Sequence, residues 1–561
     1  MEEKIRSAVD KALGSLGAEG VAYAVEWPTD LSHGDYATNA AMASAKALGK
    51  DPRDVAEELV TVMKAALADD VTSVSVAGPG FINITVSRDV LGTEIEQAVV
   101  EKKNWGIKKE QERPRVMIEY SNPNPFKEIH IGHLMSNVVG EAISRLIAAS
   151  GAHVIRDTFG GDVGPHVAKA LWALLQEGAT DIGNATEIGK AYVSGATAYE
   201  DNPTAKAEID ALNTKIFEVV EKQNQSELLN EDDQKLLALW RKGRQISMEE
   251  FGRIFHLLGT SFDYIFYDSD TTTLGVQHVT EGLEKGVFER SDGAIIYRGE
   301  KKGLHTLVFI TSRDNPLYPT KDIGLAYLKE ERVATDEIII LTGAEQVGHF
   351  KVVIAALEDL APVLAHKMKH LPHGLLRLTE GKMGSRKGNV ITADQLIRDI
   401  TEKARERNAD PLVAEQVAIG AIKYMILRQA PGGDIIFDPE RSLSLDGDSG
   451  PYLQYALVRA RKILSYAKDE GVGEEMPEQP YDIERLIVRF PEVVARASSE
   501  RAPQHLAQYL TKLAGEWNSF YASEQVLGSP EEAYKQRVAK AFAATMENGL
   551  QLLGIPTPEK M

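Results

Sequence analysis

Residues 116–156 read VMIEYSNPNPFKEIHIGHLMSNVVGEAISRLIAASGAHVIR. Val116–Tyr120 is a short apolar run, Ser121–Lys127 is a loop rich in proline and asparagine, and Leu134, Val138, Ala142 and Leu146 share one helical face. Gly151 closes that helix and His153–Arg156 begins another apolar run. Strand, turn, helix and strand in this order open a doubly wound parallel sheet. A second such unit starts at Glu337–Leu341, turns through Gly343-Ala-Glu-Gln346 and continues as a helix over Val347–Leu360. The two halves predict one α/β domain with a Rossmann-type parallel sheet, interrupted by a charge-rich, mostly helical insertion over about 170–310.

The turn that enters the first helix carries His130-Ile-Gly-His133. Two imidazoles three residues apart at a helix N-terminus face one ligand, and the helix end adds free N–H groups and positive dipole. Gly132 removes a side chain where a flat adenine can lie on the backbone. Such a set stabilises charge at an α-phosphate by positioning and electrostatics, without covalent chemistry. Two ordinary helix-capping histidines are the plainer alternative, and the position at a strand-to-helix switch weighs against it. Far downstream, Gly381-Lys-Met-Gly-Ser-Arg-Lys-Gly388 brackets three cations with glycines, a composition suited to closing on a triphosphate and offsetting charge on departing pyrophosphate. No P-loop occurs.

On either side lie two other modules. Residues 1–105 alternate helical periodicity (Lys4–Leu16, Ala37–Leu48, Val55–Leu67) with a β-hairpin in which Val74 and Val76, then Phe81, Ile82, Ile84 and Val86, flank Gly78-Pro-Gly80. Lys102–Arg115 is a polar linker. Thr392-Ala-Asp-Gln395 and Ser529-Pro-Glu-Glu532 are capping boxes, the second with proline at the first helical position, and Gly554 with Pro556 ends the last helix. From about 410 onward every segment reads as helix. The domains expected are therefore 1–105, 106–400 and an all-α bundle over 401–561.

Composition narrows the partners. The 561 residues are 43% hydrophobic and 26% charged, which is ordinary for a globular protein, and no apolar run is long enough for a transmembrane helix. The N-terminus lacks the apolar core of a secretion signal. There is no cysteine, which excludes disulfides, a thiol nucleophile and a Cys-ligated metal, and points to the cytoplasm. A net charge of −20 argues against indiscriminate nucleic-acid binding. It leaves room for local basic patches on one structured RNA, because fields are screened beyond roughly 8–10 Å at cellular salt.

On these residues the chain resembles the class I aminoacyl-tRNA synthetases, and within them the arginyl-tRNA synthetases, over nearly its full length. His130–His133 is similar to the HIGH element and Lys382–Arg386 to the KMSKS element. Glu119-Tyr-Ser-Asn-Pro-Asn124 with Lys127, Tyr318-Pro-Thr-Lys-Asp322 with Gln346, Gly78–Asn83, Gly450–Tyr455 with Arg459 and Arg461, and the ending Leu552-Leu-Gly-Ile-Pro556 carry the subclass. The resemblance implies ATP-dependent attachment of L-arginine to tRNA-Arg through an arginyl-adenylate, for translation, with tRNA bound before activation. It implies a cytoplasmic monomer that takes ATP with Mg²⁺ as substrate and holds no tightly bound metal. The implied catalytic set is Lys127, His130, Gly132, His133, Lys382, Met383, Ser385 and Arg386, with His130, Gly132, His133 and Lys382 on ATP. The implied arginine site is Glu119, Asn122, Asn124, His133, Tyr318, Asp322 and Gln346. Phe81 and Asn83 would read the tRNA D-loop, and Tyr455 and Arg459 the anticodon; Tyr452, Arg461, Trp517, Asn518 and Tyr521 are weaker candidates, since aromatics at helical spacing are usually buried.

The amino-acid pocket also has a physical rationale. A guanidinium is matched by planar carboxylate and phenol acceptors, and Asp322 lies one turn from Tyr318 if a helix starts there. Glu119 adds a second carboxylate, and Asn122, Asn124 and Gln346 are amides for the substrate's α-amino and carboxyl groups. Several residues depart from the family pattern. Ser385 replaces the second KMSKS lysine, leaving Lys127, Arg386 or Lys387 to supply that charge. Gly160-Gly-Asp-Val-Gly-Pro-His166, Asp268-Ser269, Asn122 and Glu128 differ as well, while retaining charged and donor groups. The alternatives are a class I synthetase for another amino acid, a tRNA-independent nucleotidyltransferase with an H-x-G-H site, and a catalytically dead paralogue.

Overall fold

The structure is a computed structural model that describes residues 1–108, 113–379, 391–466 and 476–561. Lys382, Met383, Ser385 and Arg386 of the expected cation loop lie outside the described residues. The chain divides into two compact units, one of residues 1–107, 452–496 and 508–550, the other of 108–451, 497–507 and 551–561.

In the first unit, β1 (Val25–Glu26), β2 (Tyr36–Thr38), β3 (Val71–Ala77) and β4 (Phe81–Val86) form an antiparallel sheet in the order β1-β2-β4-β3. The Gly78-Pro-Gly80 turn is where the sequence predicts it, and β3 pairs with β4 from Ala77↔Phe81 to Val71↔Val86. Strand alternation sends Ile82, Ile84 and Val86 into the core and leaves Phe81 and Asn83 on the other face. Helices Gly450–Tyr466, Pro503–Ser523 and Glu532–Leu552 contribute the unit's second half. The capping box expected at Ser529 does not close: the Ser529 hydroxyl is buried without a hydrogen-bond partner, and the helix begins at Glu532.

The second unit runs through β5 (Arg115–Glu119), β6 (His153–Gly160), β7 (Tyr264–Tyr267), β8 (Glu289–Ser291), β9 (Ala294–Tyr297), β10 (Leu307–Ile310), β11 (Glu337–Gly343), β12 (Met368–His373), β13 (Leu376–Leu378) and β14 (Ile435–Phe437). The central sheet is five-stranded and parallel, in the order β12-β11-β5-β6-β7. The central strands β5 and β11 carry short apolar runs, Val116–Ile118 and Ile338–Leu341, as expected of parallel strands buried on both faces. Strand order reverses between β5 and β11, so the crevice for a ligand opens beyond the carboxyl ends of those two strands. β5 ends at Glu119 and β11 at Gly343.

Two segments differ from expectation. β7 belongs to the central sheet although it lies inside the predicted helical insertion, and β8–β10 form a small antiparallel sheet there. Ile435–Phe437 is a strand paired in parallel with β13, so the region after 410 is not wholly helical. Both are runs of only three or four residues, too short for periodicity to separate from helix.

Glycines set two close approaches that bring site residues together. A Cβ on Gly140 would stand 2.3 Å from the Tyr120 ring, so the helix Ile131–Ala149 can lie directly on the end of β5. Gly324 and Gly275 let the helices Tyr318–Arg332 and Asp268–Glu284 pack with backbones in contact; Cβ atoms there would meet Thr271 O at 2.1 Å and Thr320 O at 2.0 Å.

Candidate active site

The loop after β5 is the strained part of the site. Ser121, Asn122 and Phe126 have φ of 75°, 49° and 66°, the left-handed region that L residues rarely adopt. Tertiary bonds hold them there: the Ser121 amide donates to Ser136 Oγ (3.0 Å), the Asn122 amide to Thr158 Oγ1 (3.2 Å) and the Phe126 amide to Ser247 Oγ (3.0 Å). Strain of this kind persists only where the surroundings over-determine it, and it clusters at functional sites. The loop delivers His130 to the N-cap of the Ile131–Ala149 helix.

There the His130 and His133 rings stack, with centroids 3.7 Å apart and planes inclined by 25°. His130 Nδ1 accepts the Gly132 amide at 3.1 Å, and His133 Nδ1 accepts the His130 amide at 3.4 Å. A ring nitrogen that accepts is unprotonated, so each neutral imidazole carries its hydrogen on Nε2. Burial, then the charges of His130, Lys127 and His373, depress the His133 pKa to about 3, and burial with Lys127 lowers that of His130. Both rings are therefore neutral hydrogen-bond donors at pH 7. Gly132 makes the stack possible, since a Cβ there would stand 2.9 Å from the His130 ring.

Lys127 is half-buried, with its ammonium 5.1 Å from the Tyr192 ring centre and no ion-pair partner among the described residues. The far segment returns to the same place. Ile391, the first described residue after the cation loop, accepts the Ile131 amide at 3.2 Å, His130 and Thr392 form a bridge, and the Ala393 amide donates to Ile129 O at 2.7 Å. Thr392 caps the helix Ala393–Arg405 through the Gln395 amide, but the Gln395 side chain turns to Asp399, so only half of the predicted capping box forms.

Among the arginine-site candidates, Glu119 and Asn122 are bonded to the protein itself. Glu119 is 2% exposed, with Oε2 2.5 Å from Lys329 Nζ and Oε1 accepting Asn122 Nδ2 at 2.8 Å. Asn122 Oδ1 accepts the Phe159 amide at 3.0 Å. Glu119 thereby anchors the loop, and one N–H of the Asn122 amide braces it. Lys329 also reaches Asp157 on β6 at 2.6 Å. Burial raises the Asp157 pKa against the pull of Lys329; burial opposes the charge on Lys329, but Asp157 and Glu119 outweigh it and raise the Lys329 pKa.

The remaining candidates are more open. Asn124 holds the Gly161 amide with Oδ1 at 2.9 Å, leaving its amide nitrogen without a partner among the described residues. Tyr318 is the first residue of its helix and 68% exposed, and Asp322 lies one turn on, as predicted. Asp322 Oδ2 is 2.5 Å from His349 Nε2, and burial raises its pKa. Gln346 is exposed in the turn after β11. Behind them the departures from the family pattern form a supporting layer. Asp162 accepts from Ser269 Oγ (2.7 Å) and Arg244 (2.8 Å), and Asp268 pairs with Lys321 at 2.6 Å. His166 Nε2 contacts Gly161 O at 2.7 Å, and burial lowers its pKa to about 4.

Lys329, Asp157 and His349 are the residues that sequence reasoning missed. The only local signal was His349 three residues after Gln346, one helical turn away.

In the other unit, Phe81 is 41% exposed and shares the outer face of β4 with Asn83. Arg459 lies 4.0 Å from the Tyr521 ring centre and 5.6 Å from that of Tyr455, and donates to Asn518 Oδ1 at 3.2 Å; Asn518 Nδ2 donates to Tyr452 Oη at 3.0 Å. Tyr455 and Tyr521 are each 37% exposed. Trp517 is fully buried, stacked on Phe542 at 4.4 Å, and Arg461, 28% exposed, is paired with Glu547 at 2.9 Å.

Residues 94–438 match the family model for the catalytic domain of class I tRNA synthetases (R), residues 453–561 the DALR anticodon binding domain, and residues 1–86 the arginyl tRNA synthetase N terminal domain. Similar curated proteins include the arginine–tRNA ligases of Borrelia hermsii, 31% identical over 521 residues (86% of each chain), and Treponema denticola, 31% identical over 517 residues (86% and 85%). Among solved structures, the Thermus thermophilus arginyl-tRNA synthetase aligns with a TM-score of 0.79 at 26% identity, covering 99% of both chains. The Plasmodium falciparum arginyl-tRNA synthetase shares the fold, with a TM-score of 0.80 at 19% identity over 100% and 99%.

Proposed function

The chain belongs to the class I arginyl-tRNA synthetases, attaching L-arginine to tRNA-Arg with ATP, and on that premise we propose how its residues divide the work. An arginine carboxylate oxygen attacks the α-phosphorus of ATP in line, the bond to the bridging oxygen of pyrophosphate breaks, and arginyl-adenylate results. The terminal ribose 2′-hydroxyl of the tRNA then takes the arginyl group and AMP leaves.

His130 and His133 donate Nε2–H to the α-phosphate oxygens as charge builds there, assisted by the free N–H groups of the helix start. The observation that supports this role is the stacked pair with both Nδ1 atoms already accepting, which makes Nε2–H the donor on each ring. Gly132 seats the adenine. Lys127 supplies positive charge to the departing pyrophosphate, together with Lys382 and Arg386; Met383 and Ser385 complete that loop. Mg²⁺ accompanies ATP.

Asp322 and Tyr318 receive the guanidinium, and Asn124 and Gln346 hold the α-amino and carboxyl groups. Phe81 and Asn83 contact a D-loop base, and the Arg459–Tyr455 cluster contacts the anticodon. As the resemblance to the family implies, we read the working enzyme as a monomer acting in the cytoplasm.

ATP–pyrophosphate exchange with each amino acid, with and without tRNA, tests the reading. Exchange with arginine alone among the amino acids, dependent on tRNA-Arg, is expected. Exchange without any tRNA requirement would favour a nucleotidyltransferase of the H-x-G-H kind, and exchange with a different amino acid would overturn the pocket assignment.

A further inference from the structure

The carboxylate assigned to the guanidinium does not stand alone. Asp322 lies on the helix Tyr318–Arg332, and His349 on the helix Val347–Leu360 that leaves β11; their side chains are 14% and 19% exposed, and Asp322 Oδ2 is 2.5 Å from His349 Nε2. Among the described residues Asp322 Oδ1 has no hydrogen-bond partner. The cation next to it in sequence, Lys321, is taken by Asp268 at 2.6 Å. The imidazole is itself held from behind. It meets Phe350 edge-on at 5.2 Å, Phe350 stacks on His370 at 4.6 Å, and His370 Nε2 bonds Thr342 Oγ1 on β11 at 2.8 Å.

We propose that His349 is a positioning residue that sets the specificity for arginine: it holds one oxygen of Asp322 so that the other is presented in a fixed direction to the substrate's guanidinium. This rests on the reading that Asp322 takes the guanidinium, and goes beyond it. A guanidinium is a planar fork whose hydrogen bonds demand direction, whereas an ammonium is a point charge that follows a carboxylate wherever it rotates. A carboxylate free to turn about its χ angles would still attract cations but would select less sharply among them. An imidazole suits this role because its ring N–H is a single directed donor that fixes one carboxylate oxygen and leaves the other open.

The experiment is steady-state ATP–pyrophosphate exchange, with tRNA present, on His349→Ala, His349→Gln, Asp322→Asn and the double variant Asp322→Asn/His349→Ala. His349→Ala is expected to raise the KM for arginine about 10-fold, the loss of one charge-assisted hydrogen bond, with the KM for ATP within about twofold. It is also expected to narrow the arginine-over-lysine ratio of kcat/KM. Glutamine keeps an N–H donor on the side chain, so His349→Gln should recover most of both losses. In the Asp322→Asn background, His349→Ala should add little, because the two act as a unit.

Outcomes on the other side are distinct. If Asp322→Asn raises the arginine KM but His349→Ala, folded by circular dichroism, does not, the inference is wrong and the pocket reading stands. If Asp322→Asn leaves the arginine KM unchanged, the pocket reading fails and the inference fails with it. If glutamine rescues nothing, or ATP and arginine KM rise together, His349 is only a cross-link between two helices, and the inference is overturned.

Discussion

Lys329 and Glu119, 210 residues apart in sequence, meet as a buried ion pair at 2.5 Å behind the strained loop, and Asp157 completes the group. Both members of the pair are at most 3% exposed. The pair fixes the loop's geometry: Glu119 orients Asn122, and Asn122 in turn holds the Phe159 amide and so ties the end of β5 to β6. Removing the cation would leave two carboxylates facing each other without water. Lys329→Met is therefore expected to destabilise the catalytic unit by about 3–5 kcal/mol, the cost of stranding a buried charge. Urea unfolding followed on this unit's transition checks it. A loss below about 1 kcal/mol would mean that the carboxylates relax or protonate without consequence.

The stacked histidines make a prediction about acid. His133 stays neutral in the folded protein down to about pH 3, whereas an unperturbed imidazole titrates near 6.5. Its donor role is thus intact from pH 8 to pH 5, and single-turnover adenylate formation should show no acid limb from this residue. His133→Ala should lower that step by about 10²–10³-fold, with the fold unchanged. A rate that falls tenfold per unit below pH 6.5 in wild type, but not in His133→Ala, would mean that the imidazole protonates in the working enzyme.

The alternation of β4 decides where Phe81 stands. Ile82 and Ile84 take the core positions, which leaves Phe81 facing solvent at 41% exposure on a sheet held by other side chains. Phe81→Ala should change stability by less than about 0.5 kcal/mol and raise the KM for tRNA about 10-fold by loss of a stacking surface. The KM for ATP and arginine would not move. Equal aminoacylation kinetics at low tRNA would remove Phe81 from the RNA contact set.

The contrast between what the sequence disclosed and what it hid has a physical origin. The β5–helix–β6 unit was legible because β5 carries a short apolar run, the helix after it has a regular apolar face, and Gly151 and the Pro/Asn loop punctuate them. His130, His133 and the Tyr318–Asp322 turn were legible because their partners lie within one helical turn. Lys329 and His349 were not, since each is defined by a partner on a different element and a bare lysine or histidine in a helix says nothing of what it will meet. β7 escaped notice for a related reason: four residues paired to β6 owe their strand state to the sheet edge. Trp517 stands between Glu516 and Asn518 and Phe81 between Gly80 and Ile82, yet Trp517 is the buried ring and Phe81 the exposed one, which only the fold decides.

Lys423 offers a test of burial itself. It is 1% exposed in the helix Pro411–Leu427 and donates to Leu258 O at 2.6 Å and Gly554 O at 2.7 Å. Arg145, on the helix that His130 caps, bonds Gln551 O and Gly259 O at 2.8 and 2.7 Å, so two cations satisfy carbonyls at two helix C-termini. Burial, then Arg145, lowers the Lys423 pKa to about 7, against about 10.4 in an unfolded chain. Between those values the unfolded state binds more protons than the native one, so this residue's contribution makes stability rise with pH from about 7 to about 10; below pH 7 the full cost of burying the charge is present. The slope attributable to one such group is at most about 1.4 kcal/mol per pH unit. Lys423→Met strands two carbonyls at every pH but removes the titration, so the stability difference, wild type minus variant, should widen in favour of wild type between pH 7 and pH 9. A difference that stays flat over that range would show that the ammonium remains charged, held by the carbonyl cage against the cost of burial.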